Sequence, residues 1–157
     1  MVKNFLVIVS VITVVVVVVI YALRVSLPLG PVVLLLAFLP LLVIVILKQS
    51  LVRIVPDLVF GVIDTGLLTI PALIGGFTFG VAGAIAGGVI GDAVTDAIAG
   101  FFEGHIASWL RQHGFNESRE ALTTSIGKMS GCLFGCGIVL TVALLFGVAP
   151  ESAQLLR

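Results

Sequence analysis

Five apolar stretches alternate with short polar breaks along this chain. The first, Phe5 to Leu23, is dominated by valine and isoleucine. Such β-branched runs favour strands in water, but this one has about the 20 residues that a helix needs to cross roughly 30 Å of hydrocarbon. An open strand would leave its backbone groups unpaired in lipid, so the prediction is a helix. Ser26, Pro28, Gly30 and Pro31 mark a turn. The second stretch covers residues 32–47 with Pro40 as a predicted kink, and Lys48, Gln49, Ser50 and Arg53 return the chain to water.

The third stretch, residues 54–74, differs in kind because it contains Asp57, Asp64, Thr65, Thr69 and Pro71. A turn at Gly75-Gly76 is predicted before the fourth, residues 77–102, which is rich in small residues and carries Asp92 and Asp96. These two stretches fit either two full spans or a kinked, re-entrant hairpin. Residues 103–128 form a polar helix-turn-helix connector at the membrane surface. In it Gly114 reads as a helix stop, Asn116 as a new N-cap, Glu117 and Glu120 as first-turn acids, and Trp109 as an interfacial anchor. A last stretch, residues 129–148, is stopped by Pro150. The expected fold is therefore all-α, a polytopic transmembrane helical bundle of about five spans within one integral membrane domain, residues 1–157.

Composition agrees with this pattern. The chain is 60% hydrophobic and only 10% charged, against about 25% charged residues in a soluble domain. Lipid is the expected surrounding partner. The formal net charge is zero, so nothing points to nucleic acid. Lys3 ahead of an apolar run imitates a signal peptide, but the run is longer than a signal core of roughly 7–15 residues and no A-x-A-like site follows it, so it reads as a retained span. With five spans, Lys3, Lys48, Arg53, Arg111, Arg119 and Lys128 fall on one side, and Arg24 and Arg157 on the other. The positive-inside rule then places the protein in the cell membrane with its N-terminus inside and its C-terminus outside. The sequon at Asn116 would lie inside, out of reach of glycosylation.

The four aspartates carry the candidate chemistry. A charged carboxylate at mid-membrane costs about 2.5–3.5 kcal/mol on insertion scales, so it normally has a partner or a function. Asp57 and Asp64 are two turns apart on one face, and Asp92 and Asp96 share another. Asp57 lies near Arg53 and reads as an interfacial or capping carboxylate, whereas Asp64 and Asp92 form the central pair and Asp96 supports them. No Lys or Arg is expected in the core of any span, so these groups are left with protonation, with hydrogen bonds from Thr65, Thr69, Thr78 or Thr95, or with a bound cation. Carboxylate, hydroxyl and backbone oxygens suit hard divalent ions, and neighbouring carboxylates that resist joint ionisation could exchange protons for metal. Glu103, His105 and His113 are a second candidate cluster at the inner mouth, without standard metal-ligand spacing. Cys132 and Cys136, four apart on an apolar helix, read as packing residues rather than a disulfide.

Small residues form rows that allow helices to approach closely in lipid. Gly83, Gly87 and Gly91 form one, continued by Thr95 and Ala99. Beside it run Ala84, Gly88, Asp92, Asp96, Gly100 and Gly104, and the last stretch repeats the theme in Gly127, Gly131 and Gly135. One such face could be internal and another could form a homo-oligomer, with a dimer favoured and an ion path at its symmetric interface.

The segment Phe60-Gly61-Val62-Ile63-Asp64-Thr65-Gly66-Leu67-Leu68-Thr69, continuing to Ala72-Leu73-Ile74-Gly75-Gly76, resembles the first-span motif of the vacuolar iron transporter family. The run Ala82 to Gly91 is similar in kind to that family's next span. The resemblance covers residues 60–91; Thr65 stands between the aspartate and the glycine, and Gly91-Asp92 and Asp96 replace the family's Ser-Met and Gly-Glu-Tyr pattern. It implies a dimeric, proton-coupled divalent-metal transporter with Asp64 in the translocation path.

Three functions follow from these readings. The first is a small transporter or channel for a divalent cation, proton-coupled, with the metal as substrate and no tightly bound cofactor. The second is a structural or accessory membrane protein assembling through its glycine rows. The third is a membrane-embedded lipid-modifying enzyme, the least favoured because no basic residues are placed to hold phosphate. Signatures of soluble hydrolases, phosphate-binding loops and dinucleotide folds are absent, and the chain is not expected to be an enzyme.

Overall fold

The computed structural model describes residues 2–114 and 120–147, and within them the chain is helical with no strand. The helices are α1 (Val2–Arg24), α2 (Leu29–Leu36), α3 (Phe38–Ile46), a 3-10 turn (Leu51–Ile54), α4 (Val55–Gln112) and α5 (Ala121–Leu145). Four stretches, Val2–Arg24, Leu29–Ile46, Leu51–Gln112 and Ala121–Leu145, are long and apolar enough to cross a membrane.

Local chemistry explains the boundaries. Pro40 has no N–H to give the Leu36 carbonyl, and the second stretch is interrupted at Ala37, between α2 and α3. α1 and α3 both close with paired reverse bonds around a left-handed residue. Ser26 (φ 57°) is followed by a Leu27 N–H that donates to the Ala22 carbonyl at 2.9 Å. Lys48 (φ 54°) is followed by a Gln49 N–H that donates to Ile44 at 3.0 Å. These are the bonds of a Schellman end, made without glycine. Pro56 opens α4 where its missing N–H is harmless. Gly114, at φ 77°, ends α4 as expected.

α4 is a hairpin. At Gly80 the backbone turns to φ 64° and ψ −148°, a region essentially reserved for glycine. The arms on either side, residues 55–79 and 81–112, run antiparallel. Gly75 faces the backbone of Gly83, Pro71 faces Gly87, Leu68 and Pro71 face Gly91, and Asp64 meets Thr95. The reversal thus falls at Gly80 and not at Gly75-Gly76. Gly75 lies inside the first arm because a Cβ there would collide with the Gly83 carbonyl. The second arm also continues as helix to Gln112, and α5 begins at Ala121, so much of the expected surface connector is helix continuous with its neighbours. Glu120 stands at the N-cap of α5. The expected N-cap Asn116, with Glu117, lies outside the described residues.

α5 is the central helix. Its glycine row docks parallel to the first arm, with Gly127 against Ile54 and Asp57, Gly131 against Leu58 and Gly61, and Gly135 against Val62 and Gly66. α2 crosses α5 in the opposite sense, Gly30 meeting Leu140 and Thr141, and Leu34 meeting Gly137. The Ser130 hydroxyl donates to the Ala37 carbonyl at 2.7 Å, at the break between α2 and α3. An apolar cluster of Ile44, Ile54, Leu122 and Ile126, flanked by Val7, Ile8, Leu41 and Val43, closes one end of the bundle. Gathered at that end are the start of α1, the end of α3, both outer ends of the α4 hairpin and the start of α5. The Gly80 turn lies at the other.

Three substitutions test this packing by thermal unfolding in detergent. Gly131→Ala places a methyl against the Leu58 carbonyl and is expected to cost about 1–3 kcal/mol. Gly100→Ala, whose Cβ would meet nothing within 4 Å, is expected to be neutral or to stabilise by up to about 1 kcal/mol. Gly80→Ala is expected to cost about 1–3 kcal/mol from backbone strain alone, because a Cβ there has open space.

Candidate functional site

The buried polar groups of the hairpin lie at two levels between its arms. At the deeper level, the Thr95 hydroxyl donates to Asp64 Oδ1 at 2.6 Å, and both residues are buried. This bond is possible because Gly91 and Ala99, one turn to either side of Thr95, are buried and small, so the second arm approaches the first at backbone distance. A hydroxyl reaching a carboxylate at this length is a strong pairing in a medium of low dielectric. Of the other threonines, Thr69 donates to the Thr65 carbonyl at 2.6 Å and Thr78 to the Ile74 carbonyl at 2.7 Å. Thr95 is the one that serves Asp64.

Two turns nearer the open end of the hairpin lies a charged level. Glu103, on the same row as Thr95, accepts Lys128 Nζ at 3.4 Å, and its side chain is more than nine-tenths buried. The Lys128 ammonium also sits 3.8 Å from the centre of the Phe60 ring, a cation–π position. Asp57, only 2% exposed, occupies the first turn of α4, where a carboxylate is favoured by the helix dipole. The antiparallel register that pairs Asp64 with Thr95 places Asp57 level with Glu103. Lys128 reaches this layer because Gly127 and Gly131 bring α5 against the first arm. α5 starts early enough for Lys128 to lie within it, its half-exposed side chain reaching Glu103 near the charged end of the bundle.

The two small-residue rows of the second arm separate cleanly. Gly83, Gly91, Thr95, Ala99, Glu103 and Ala107 are buried against the rest of the fold, with Gly87 half-buried on the same row. Asp92, Asp96, Gly100 and Gly104 are exposed, and a Cβ on Gly88, Gly100 or Gly104 would meet nothing. Asp64 and Asp92 thus do not face one another, although they lie at similar depth. Thr65 is half-buried and faces Cys132, as Thr69 faces Cys136. Both cysteines are free. Glu103 points inward while His105 is exposed, and His113 stacks on Trp109 with ring centres 4.2 Å apart, so the inner-mouth trio is dispersed. Among the described residues no group of three or more His, Cys, Asp or Glu side chains is gathered to hold a metal ion.

No family model, curated protein or solved structure matches the chain. The functional reading therefore rests on the geometry and on the motif itself. Sequence spacing had singled out Asp64 and the glycine rows but passed over the Lys128–Glu103 pair. The signal for that pair was the fourfold spacing that carries the row Gly91, Thr95 and Ala99 on to Glu103.

Removing the hydroxyl from the deeper level is expected to leave a buried carboxylate short of a donor. Thr95→Val should lower stability by about 1–3 kcal/mol, measured by thermal unfolding in detergent, and Thr95→Ser should restore most of the loss.

Proposed function

We propose that this chain is a multi-pass membrane transporter or channel for a divalent cation, coupled to protons, with Asp64 as the group that takes up and releases the ion. In this reading α1, the α2–α3 pair, the two arms of α4 and α5 make five crossings. Each arm exceeds the about 20 residues that a crossing needs. The end of the bundle holding Lys3, Lys48, Arg53, Arg111 and Lys128 faces the inside of the cell membrane, following the positive-inside rule.

One observation carries the proposal. Asp64 is buried in the middle of an apolar hairpin, anchored by one hydroxyl at 2.6 Å, where a carboxylate is costly unless it serves a function. The close approach of the arms is made by glycines. Asp92 and Asp96 stand on the neighbouring row of the same arm, where carboxylates favour the approach of a cation. A carboxylate that gives up its proton as the metal arrives, and regains it as the metal leaves, couples the two movements. The resemblance of residues 60–91 to the vacuolar iron transporter family supports the same role for Asp64.

A structural role is the second reading, favoured by the open row of Gly88, Asp92, Asp96, Gly100 and Gly104. Carboxylates on a lipid-facing surface call for a covering partner, and a second copy of the chain is the simplest. In that case the aspartates serve assembly and not transport.

The test is uptake of Mn²⁺ or Fe²⁺ into proteoliposomes holding the purified protein. Wild type is expected to move metal and to move protons the other way, with Asp64→Asn falling to the level of empty vesicles. Unchanged flux in the Asp64→Asn/Asp92→Asn double variant would remove the proposal, and absence of flux in wild type with an intact dimer would favour the structural reading.

A further inference from the structure

The chain has two cysteines and two methionines, and apart from Met1 all of its sulfur lies on α5, at Met129, Cys132 and Cys136. At the pitch of an α-helix these three project within an arc of about 60°, so they share one face. None is fully buried, and both thiols are free. The face borders the seam between α5 and the first arm of α4, where Cys132 stands beside Thr65 and Cys136 beside Thr69. Neither the Asp64–Thr95 level nor the Lys128–Glu103 pair uses these sulfurs.

Separation decides what the two thiols can do. Side chains four apart on a helix hold their Cβ atoms about 5–6 Å apart. A disulfide needs about 3.5–4.5 Å, and α5 runs unbroken from Ala121 to Leu145, so the pair does not close on itself. One ion between two sulfurs, about 2.3 Å from each, spans the distance. Thiolates and thioethers prefer soft ions. Zinc asks for four ligands, whereas a soft monovalent ion is satisfied by two in line.

We propose that Cys132 and Cys136 form a two-sulfur clasp for a soft monovalent metal ion, Cu⁺ or its analogue Ag⁺, on the half-buried face of α5. Each thiol loses its proton to solvent as its sulfur binds: two S–H bonds break, two metal–sulfur bonds form, and no electron is transferred. The bound unit carries one negative charge, and Lys128 sits one turn before Cys132 on the same row. Met129 adds a thioether to this face, one turn nearer the charged end of the bundle. The clasp takes a different class of ion from the one proposed for Asp64 and does not rest on the transport reading.

The experiment titrates the purified, reduced protein in detergent, free of oxygen, with Cu⁺ held by a competing chelator, for wild type, Cys132→Ser, Cys136→Ser and Asp64→Asn. Wild type is expected to bind one Cu⁺ per chain, with thiolate-to-metal charge-transfer absorption in the ultraviolet. Because the second sulfur binds within the same molecule, either serine variant should bind weaker by about 100-fold or more. Asp64→Asn should bind as wild type does, so failure of this site and failure of the transport reading are told apart. X-ray absorption at the copper edge needs no variant, and on wild type it should show two sulfur neighbours. The proposal is overturned if either serine variant binds as tightly as wild type, if binding is lost in Asp64→Asn, if one ion is shared by two chains, or if the nearest neighbours of copper are not two sulfurs.

Discussion

Contact between helix backbones is the constraint on which everything else in this fold depends. In lipid, apolar side chains gain little by meeting one another, and the association of helices rests on close fit. Here the fit is made by glycines whose missing side chains are occupied by a neighbour's main chain: Gly75 and Gly83 at the hairpin tip, Gly87 against Pro71, and Gly61, Gly131 and Gly135 between the first arm and α5. Because these contacts bring main chains together, short polar side chains can bridge them. The Thr95 hydroxyl spans to Asp64, and the Ser130 hydroxyl to the Ala37 carbonyl.

The same closeness sorts the acidic residues. On the second arm one row of small residues is consumed by packing, and the polar groups that interrupt it, Thr95 and Glu103, are carried inside. The neighbouring row is left open, and Asp92 and Asp96 stand on it. A rotation of that helix by one position would exchange the two sets. The choice is made by the register of the hairpin, in which each turn away from Gly80 on one arm is matched by a turn on the other.

This explains what could be read from the chain beforehand. Long apolar stretches announce helices through their length, and Pro40 and Gly114 mark their breaks through chemistry that acts within a few residues. The glycine rows and the shared faces of the aspartates are equally local, being properties of one helix. Gly75 and Gly80 could not be told apart in this way. Both are glycines in a small-residue context, yet one is required by a neighbouring main chain that any side chain would strike and the other by its own backbone angle. Lys128 was hidden for a different reason. Polar residues before it suggest a loop, and only the early start of α5 at Ala121, with its docking on the first arm, turns the side chain toward Glu103. Inward and outward rows, too, are decided by tertiary register and have no signature within one helix.

The central claim is that the carboxylate of Asp64, held between two glycine-packed arms, is the group that meets the cation. The most direct measurement is infrared difference spectroscopy of the protein in lipid on addition of Mn²⁺. Metal binding at Asp64 should produce paired carboxylate bands that disappear in folded Asp64→Asn and persist in Asp57→Asn. A difference spectrum with no carboxylate bands, or one unchanged by Asp64→Asn, would contradict the account.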